Sequence, residues 1–212
     1  MHAGPSRGNY AMKDLVVSRR QVLKGAGAFG VLGALGIPTT VFADDSKVRW
    51  DIISVNFATG TLSAGGMASA DAVDGSKITL TGSGTFGSGE DDVTGGGTWW
   101  TFNSTGTQTG TGTYKATGLV RWMPAPGTPP LPNDNIGVRA EESAGLAVLR
   151  IRYSDGSRGE LIVSCTLVGS PSAIFEGITA TKGFVDYWNR EKPVPLVDGN
   201  RTNFHVMPSS ED

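Results

Sequence analysis

One cysteine and two histidines in 212 residues leave little material for metal or redox chemistry. The single thiol, Cys165, excludes an intramolecular disulfide and any multi-cysteine zinc site. One histidine is His2, so only His205 stands in the body of the chain. That almost rules out a histidine-built metal centre, and a blue-copper site from Cys165, His205 and Met207 would lack its second histidine. Charged residues are 18% of the chain, too few for charge-driven disorder. No apolar run is long enough to cross a bilayer as a helix. The patterns G-x-S-x-G, Walker A and H-E-x-x-H are all absent. Gly82-x-Gly84-x-x-Gly87 matches a dinucleotide fingerprint in letters only. No helical pattern follows it, and Glu90-Asp91-Asp92 would repel a pyrophosphate. No metal and no cofactor are therefore expected.

What is present begins with an address. Ser18-Arg19-Arg20-Gln21-Val22-Leu23-Lys24 is followed by a mild apolar stretch from Gly25 to Ile37, then by Val41-Phe42-Ala43. This order resembles a twin-arginine (Tat) export signal of bacteria and archaea, with cleavage between Ala43 and Asp44. The resemblance implies export in a folded state through the Tat machinery, to the periplasm, the cell surface or the medium. Residues 1–43 would be the signal and 44–212 one domain. Removing the signal takes five basic residues and one acid, leaving 13 and 19, a net charge of −6. No basic run remains to argue for nucleic acid or an anionic membrane.

The mature region reads as all-β. Short stretches rich in Thr, Val, Ile and aromatics alternate with turn residues every 8–15 positions. The pattern T-G-x-G-T-aromatic recurs at Thr81–Phe86, Thr94–Trp99 and Thr109–Tyr114, one strand plus turn per copy, as in a meander. A single antiparallel β-barrel is expected over about residues 47–207, with a β-sandwich as the alternative. Seven to ten strands are expected. One short helix is expected at 183–192, where Phe184 and Trp188, and Asp186 and Arg190, are spaced i,i+4 before Pro193. In the first strand the apolar parity flips at Ile52–Ile53, predicting a bulge. Residues 123–139 hold five prolines and read as a long connection, a functional lid or a plain crossing.

One hairpin can be read to its register. A two-residue turn at Asp155-Gly156 would mix Arg150 and Arg152 with Leu161, Val163 and Cys165 on one face. A three-residue loop with left-handed Gly156 pairs Tyr153 with Ser157 instead. It puts Leu149, Ile151, Tyr153, Leu161, Val163 and Cys165 on one face, with Arg150, Arg152, Glu160 and Ser164 on the other. Segregation of apolar from charged residues selects this register.

Candidate site residues are few. Glu176, in Ile174-Phe175-Glu176-Gly177-Ile178, is a buried acid/base group if its face is interior and ordinary surface if Phe175 points in. Tyr153 and His205 are the other candidates for catalysis. Trp50, Trp99, Trp100, Trp122 and Trp188 are candidates to line a ligand pocket. The Gly97-x-Trp99 element and the Gly/Thr/aromatic meander resemble small up-and-down barrels of the lipocalin, avidin and allene-oxide-cyclase/dirigent types. That resemblance implies a barrel and carries no site residue. Three readings follow: a non-catalytic exported protein binding a small apolar ligand or a protein partner, a cofactor-independent isomerase, cyclase or lyase using Glu176, and a structural surface protein. On the export reading, N-terminal sequencing of the secreted protein should begin at Asp44. Replacing Arg19 and Arg20 together by lysine should abolish export, and normal export of that variant would refute the reading.

Overall fold

The computed structural model describes residues 46–88, 92–191 and 199–208. The expected export signal with Arg19, Arg20, Ala43 and Asp44, the acids Glu90 and Asp91, and Pro193 lie outside the described residues. The described residues are all-β, with thirteen strands and one single-turn 3₁₀ helix at Arg139–Glu141 among them. The strands are β1 Lys47–Asn56, β2 Thr61–Ala64, β3 Ala68–Ala72, β4 Lys77–Leu80, β5 Ser83–Phe86, β6 Gly96–Phe102 and β7 Gln108–Ala125. They continue with β8 Asn133–Asp134, β9 Glu142–Tyr153, β10 Arg158–Cys165, β11 Gly177–Lys182, β12 Val185–Glu191 and β13 Arg201–Met207. The count exceeds the seven to ten expected because several ladders, such as β2, β4, β5 and β8, are only two to four residues long. Among the described residues no helix is long and apolar enough to cross a membrane.

The ladders return on themselves. Antiparallel pairings lead from β7 through β9, β10, β11, β12, β3, β4 and β6 back to β7. A second route joins β9 to β6 through β13, β1 and β5. Only the short β2–β8 ladder is parallel. Paired edges matter because an open strand edge carries unsatisfied N–H and C=O groups.

Aromatic side chains fill the interior. Trp122 packs on Phe204 at 4.6 Å and on Phe86 at 5.5 Å between ring centroids. Trp99 meets Tyr153 edge-on at 5.8 Å, and Tyr114 lies 6.2 Å from Tyr153. Buried rings with polar tips need partners. Tyr114 Oη donates to Thr81 O at 2.8 Å, Tyr153 Oη to Thr181 O at 2.9 Å, and Trp99 Nε1 to Thr113 O at 3.1 Å. The first two Gly/Thr repeats supply a close crossing. A Cβ on Gly97 would stand 2.0 Å from Thr81 O, so only glycine allows these backbones to meet.

The β9–β10 hairpin follows the expected register. Tyr153 N donates to Ser157 O at 2.9 Å, Gly156 has φ 89°, and Leu161 pairs with Leu149. All six residues assigned to its inner face are buried, and Arg150, Arg152 and Glu160 are exposed. Ser164 departs from the expectation. It is fully buried because residues 174–176 cross over it, and its Oγ donates to Phe175 O at 2.7 Å.

Two other expectations are corrected. The stretch 185–191 is strand, not helix. Lys182 pairs with Val185 across Gly183-Phe184, and Gly183 has φ 61° at the first central position, where a two-residue hairpin favours glycine. The i,i+4 pair Phe184 and Trp188 is exposed, so it offers no buried face to hold a helix. Nor is there a bulge at Ile52–Ile53, since β1 pairs with β13 without a shift from Lys47 to Ile53. The apolar parity flips because both faces of β1 are covered. Val48, Trp50 and Ile52 enter the aromatic core, whereas Ile53 and Val55 line a pocket on the other side.

The hairpin register makes a stability test. Val163 is fully buried and Arg152 exposed. Val163→Ala should cost ~1–3 kcal/mol through lost methyl burial. Arg152→Ala should change stability by at most ~0.5 kcal/mol, and urea unfolding of the two variants would check the contrast.

Candidate functional site

The register of β1 against β13 places Arg49 beside His205, Asp51 beside Asn203 and Ile53 beside Arg201. These residues point away from the aromatic core. Such a face would ordinarily be wet, yet Asp51, Asn203 and His205 are almost wholly buried. The cover is the proline-rich connection together with residues 166–176. It is tied down at several points. Asn133 Nδ2 donates to Thr59 O at 3.0 Å, and Arg139 donates to Leu131 O and Pro129 O, each at 2.7 Å. Thr128 and Val168 exchange backbone hydrogen bonds of 2.9 and 3.2 Å.

Two polar contacts stand on this face. Arg49 holds Asp51 through both carboxylate oxygens, at 2.7 and 2.9 Å. Asp134 Oδ2 meets His205 Nε2 at 2.6 Å, with side-chain exposures of 2% and 1%. Burial alone would raise the Asp134 pKa. His205 and the N–H groups of Ile136 and Gly137 outweigh it and hold the carboxyl below its usual range.

Beside these contacts lies a cavity of about 80 Å³. Ile53, Val55, Phe57, Leu62, Leu131 and Leu167 form its apolar wall. Its polar side carries Glu142, Glu176, Cys165, Thr202 and Asn203. Glu176 Oε2 accepts from Thr166 N at 2.7 Å, and Oε1 from Thr202 N at 2.8 Å. Those bonds favour the carboxylate, but burial dominates and pushes the pKa up to about 7. Burial, then repulsion from Asp134, raises Glu142 as well, against the pull of His205 and Arg139. Among the described residues, Glu142 Oε1 and Asn203 Nδ2 are buried with no hydrogen-bond partner, as is His205 Nδ1. Burial drives the Cys165 thiol well above its ordinary pKa, leaving it un-ionised and a poor nucleophile.

The structure brings some of the sequence candidates together. Glu176 lines the pocket, and His205 sits on the same face of β13 as Asn203, engaged by Asp134. Tyr153 lies at the opposite end of β9 from Glu142 and points its hydroxyl at Thr181. The five tryptophans do not share a cavity. Trp50, Trp99 and Trp122 are core, Trp100 and Trp188 line two separate surface depressions, and Trp188 is exposed. Glu142, Asn203 and Asp134 were not legible as site residues. Glu142 follows another acid just ahead of a strand, and Asp134 lies in Asn133-Asp134-Asn135, so both read as solvated loop. No family model, curated protein or solved structure matches this chain.

The raised pKa of Glu176 has a consequence for stability. A carboxyl whose folded pKa lies above its unfolded value, here about 7 against 4.5, keeps its proton longer in the folded state. Its contribution is therefore fully retained below about pH 4.5 and lost as pH rises toward 7. The loss is on the order of 2–3 kcal/mol. Glu176→Gln should flatten the fall in stability between these pH values, measured by urea unfolding at each pH. An unchanged slope would show that the group does not titrate there.

Proposed function

We propose that the chain is an exported β-barrel protein that binds a small, mostly apolar molecule and catalyses no reaction. The observation that carries this reading is the acceptor Glu142 Oε1 and the donor Asn203 Nδ2, both unpartnered among the described residues and both in the lining of a pocket with an apolar wall. A buried polar group left unmade costs about 1–3 kcal/mol. A ligand carrying one donor and one acceptor on an apolar body recovers that cost for both groups. Closure of the ladders on themselves supports the barrel, and the Arg19-Arg20 motif supports export by the Tat machinery. Aromatic side chains fill the interior, where small barrels commonly hold ligands, and the pocket is lined in part by Ile53 and Val55 on the opposite face of β1. The small volume suits a short ligand or the head of a longer one.

One observation favours a second reading, proton transfer in an isomerase or lyase. Glu176 titrates near neutrality in the same pocket as a second carboxyl group, as a general acid/base does. A test of both uses ligand-detected NMR with short-chain alcohols, amides and lactams in D2O. Saturable binding, weakened about tenfold or more by Glu142→Gln or Asn203→Leu, supports the binding reading. Deuterium uptake into a bound compound, lost in Glu176→Gln, selects proton transfer. No binding at millimolar concentration, or binding unchanged in both pocket variants, overturns the assignment of the pocket.

A further inference from the structure

A second surface of the molecule carries unused chemistry. Ladder register places Lys115, Arg152 and Arg158 on one rung across β7, β9 and β10. Adjacent strands are about 5 Å apart, so three cations stand in a row. Arg150, two residues along β9 on the same face, adds a fourth and lies opposite Glu160. All four cations are exposed, and none forms an ion pair among the described residues. Like charges placed directly opposite one another destabilise a sheet, so the fold gains nothing from this row.

The row lies in a groove. Two depressions of about 540 and 450 Å³ share Thr117 and Arg152 and run together over this face. Thr117 is the extra residue of a β-bulge between Ala116 and Gly118, and such bulges bend a strand. Thr113, Thr117, Ser154 and Thr181 contribute hydroxyl-bearing side chains along the groove, and Glu160 is its one acid.

We propose that this groove binds a polyanionic glycan, an extended saccharide chain bearing carboxylates. Guanidinium forks match carboxylates through two parallel hydrogen bonds, and the Thr and Ser hydroxyls suit the hydroxyls of a sugar. Other occupants fit less well. β7, β9 and β10 are each paired along both edges here, which leaves no edge for a peptide strand. The only rings lining the groove, Tyr114 and Tyr153, are buried, so bases of a single-stranded nucleic acid have no stacking platform. A concave face does not meet a flat bilayer. The site shares no lining residue with the Glu142–Asn203 pocket, so either assignment can fail without the other.

Fluorescence polarisation of labelled oligogalacturonate with the full mature chain tests the proposal. Neutral dextran, single-stranded DNA and anionic vesicles serve as comparisons. The wild type should bind the uronate at 50 mM salt, weaken markedly at 200 mM, and ignore dextran. The variant Arg150→Ala/Arg152→Ala/Arg158→Ala should bind about tenfold more weakly or worse, with a thermal midpoint equal to or above that of the wild type. Arg152→Lys should retain part of the affinity, since charge remains and the fork is lost. Absence of uronate binding, affinity unchanged in the triple variant, or tighter binding of DNA or vesicles would overturn it. A lowered thermal midpoint in the triple variant would also overturn it, by assigning the arginines a structural role.

Discussion

Burial of β1 and β13 on both faces is the constraint from which the rest follows. On one side Trp50 and Phe204 enter the aromatic core. On the other, the proline-rich connection meets His205 through Asp134 and joins Asn203 in the pocket lining through Pro130 and Leu131. A sheet face covered in this way must satisfy its polar groups locally, because water no longer does so. The Asp134–His205 contact performs that task and anchors the cover at the same time. Proline suits such a cover, since it holds an extended path at little entropic cost and needs no ladder partner.

The same covering creates the chemistry of the pocket. Burial is the main cause that displaces Glu142 and Glu176 from ordinary carboxylate behaviour, and repulsion from Asp134 adds to it at Glu142. Glu176 also braces the fold, since its two oxygens take backbone N–H groups from either side, Thr166 just past β10 and Thr202 in β13. Pocket lining and bracing therefore fall on one side chain. The basic face of β7, β9 and β10 obeys different physics. Its charges remain in water, contribute little to stability as single contacts, and act through their number and alignment.

Strand alternation carried the sequence reading a long way wherever one face was wet. The β9–β10 hairpin is the clearest instance, because only one register separates Leu149, Ile151 and Val163 from Arg150 and Arg152. Alternation misled wherever both faces were dry. Ile52 and Ile53 suggested a bulge because a covered outer face leaves no polar residue to mark it. Helical spacing at Phe184 and Trp188 misled for a related reason. Periodicity reports a buried stripe only if something buries it, and here the left-handed Gly183 turned the chain into a hairpin first.

The sequence by itself determined the all-β class and the hairpin register, since these depend on residue type, period and nearby turn chemistry. For Glu176 it leaned toward ordinary surface over a buried position, because alternation cannot say which face a neighbouring segment will cover. Tertiary structure alone decided that question, by laying residues 166–176 and the proline-rich connection against β13. It likewise gathered Lys115, Arg150, Arg152 and Arg158 into one charged row, though no basic run exists along the chain. The physical reason is common to both. A strand ladder sets side by side residues that are far apart in sequence, and burial or charge density arises only from that placement.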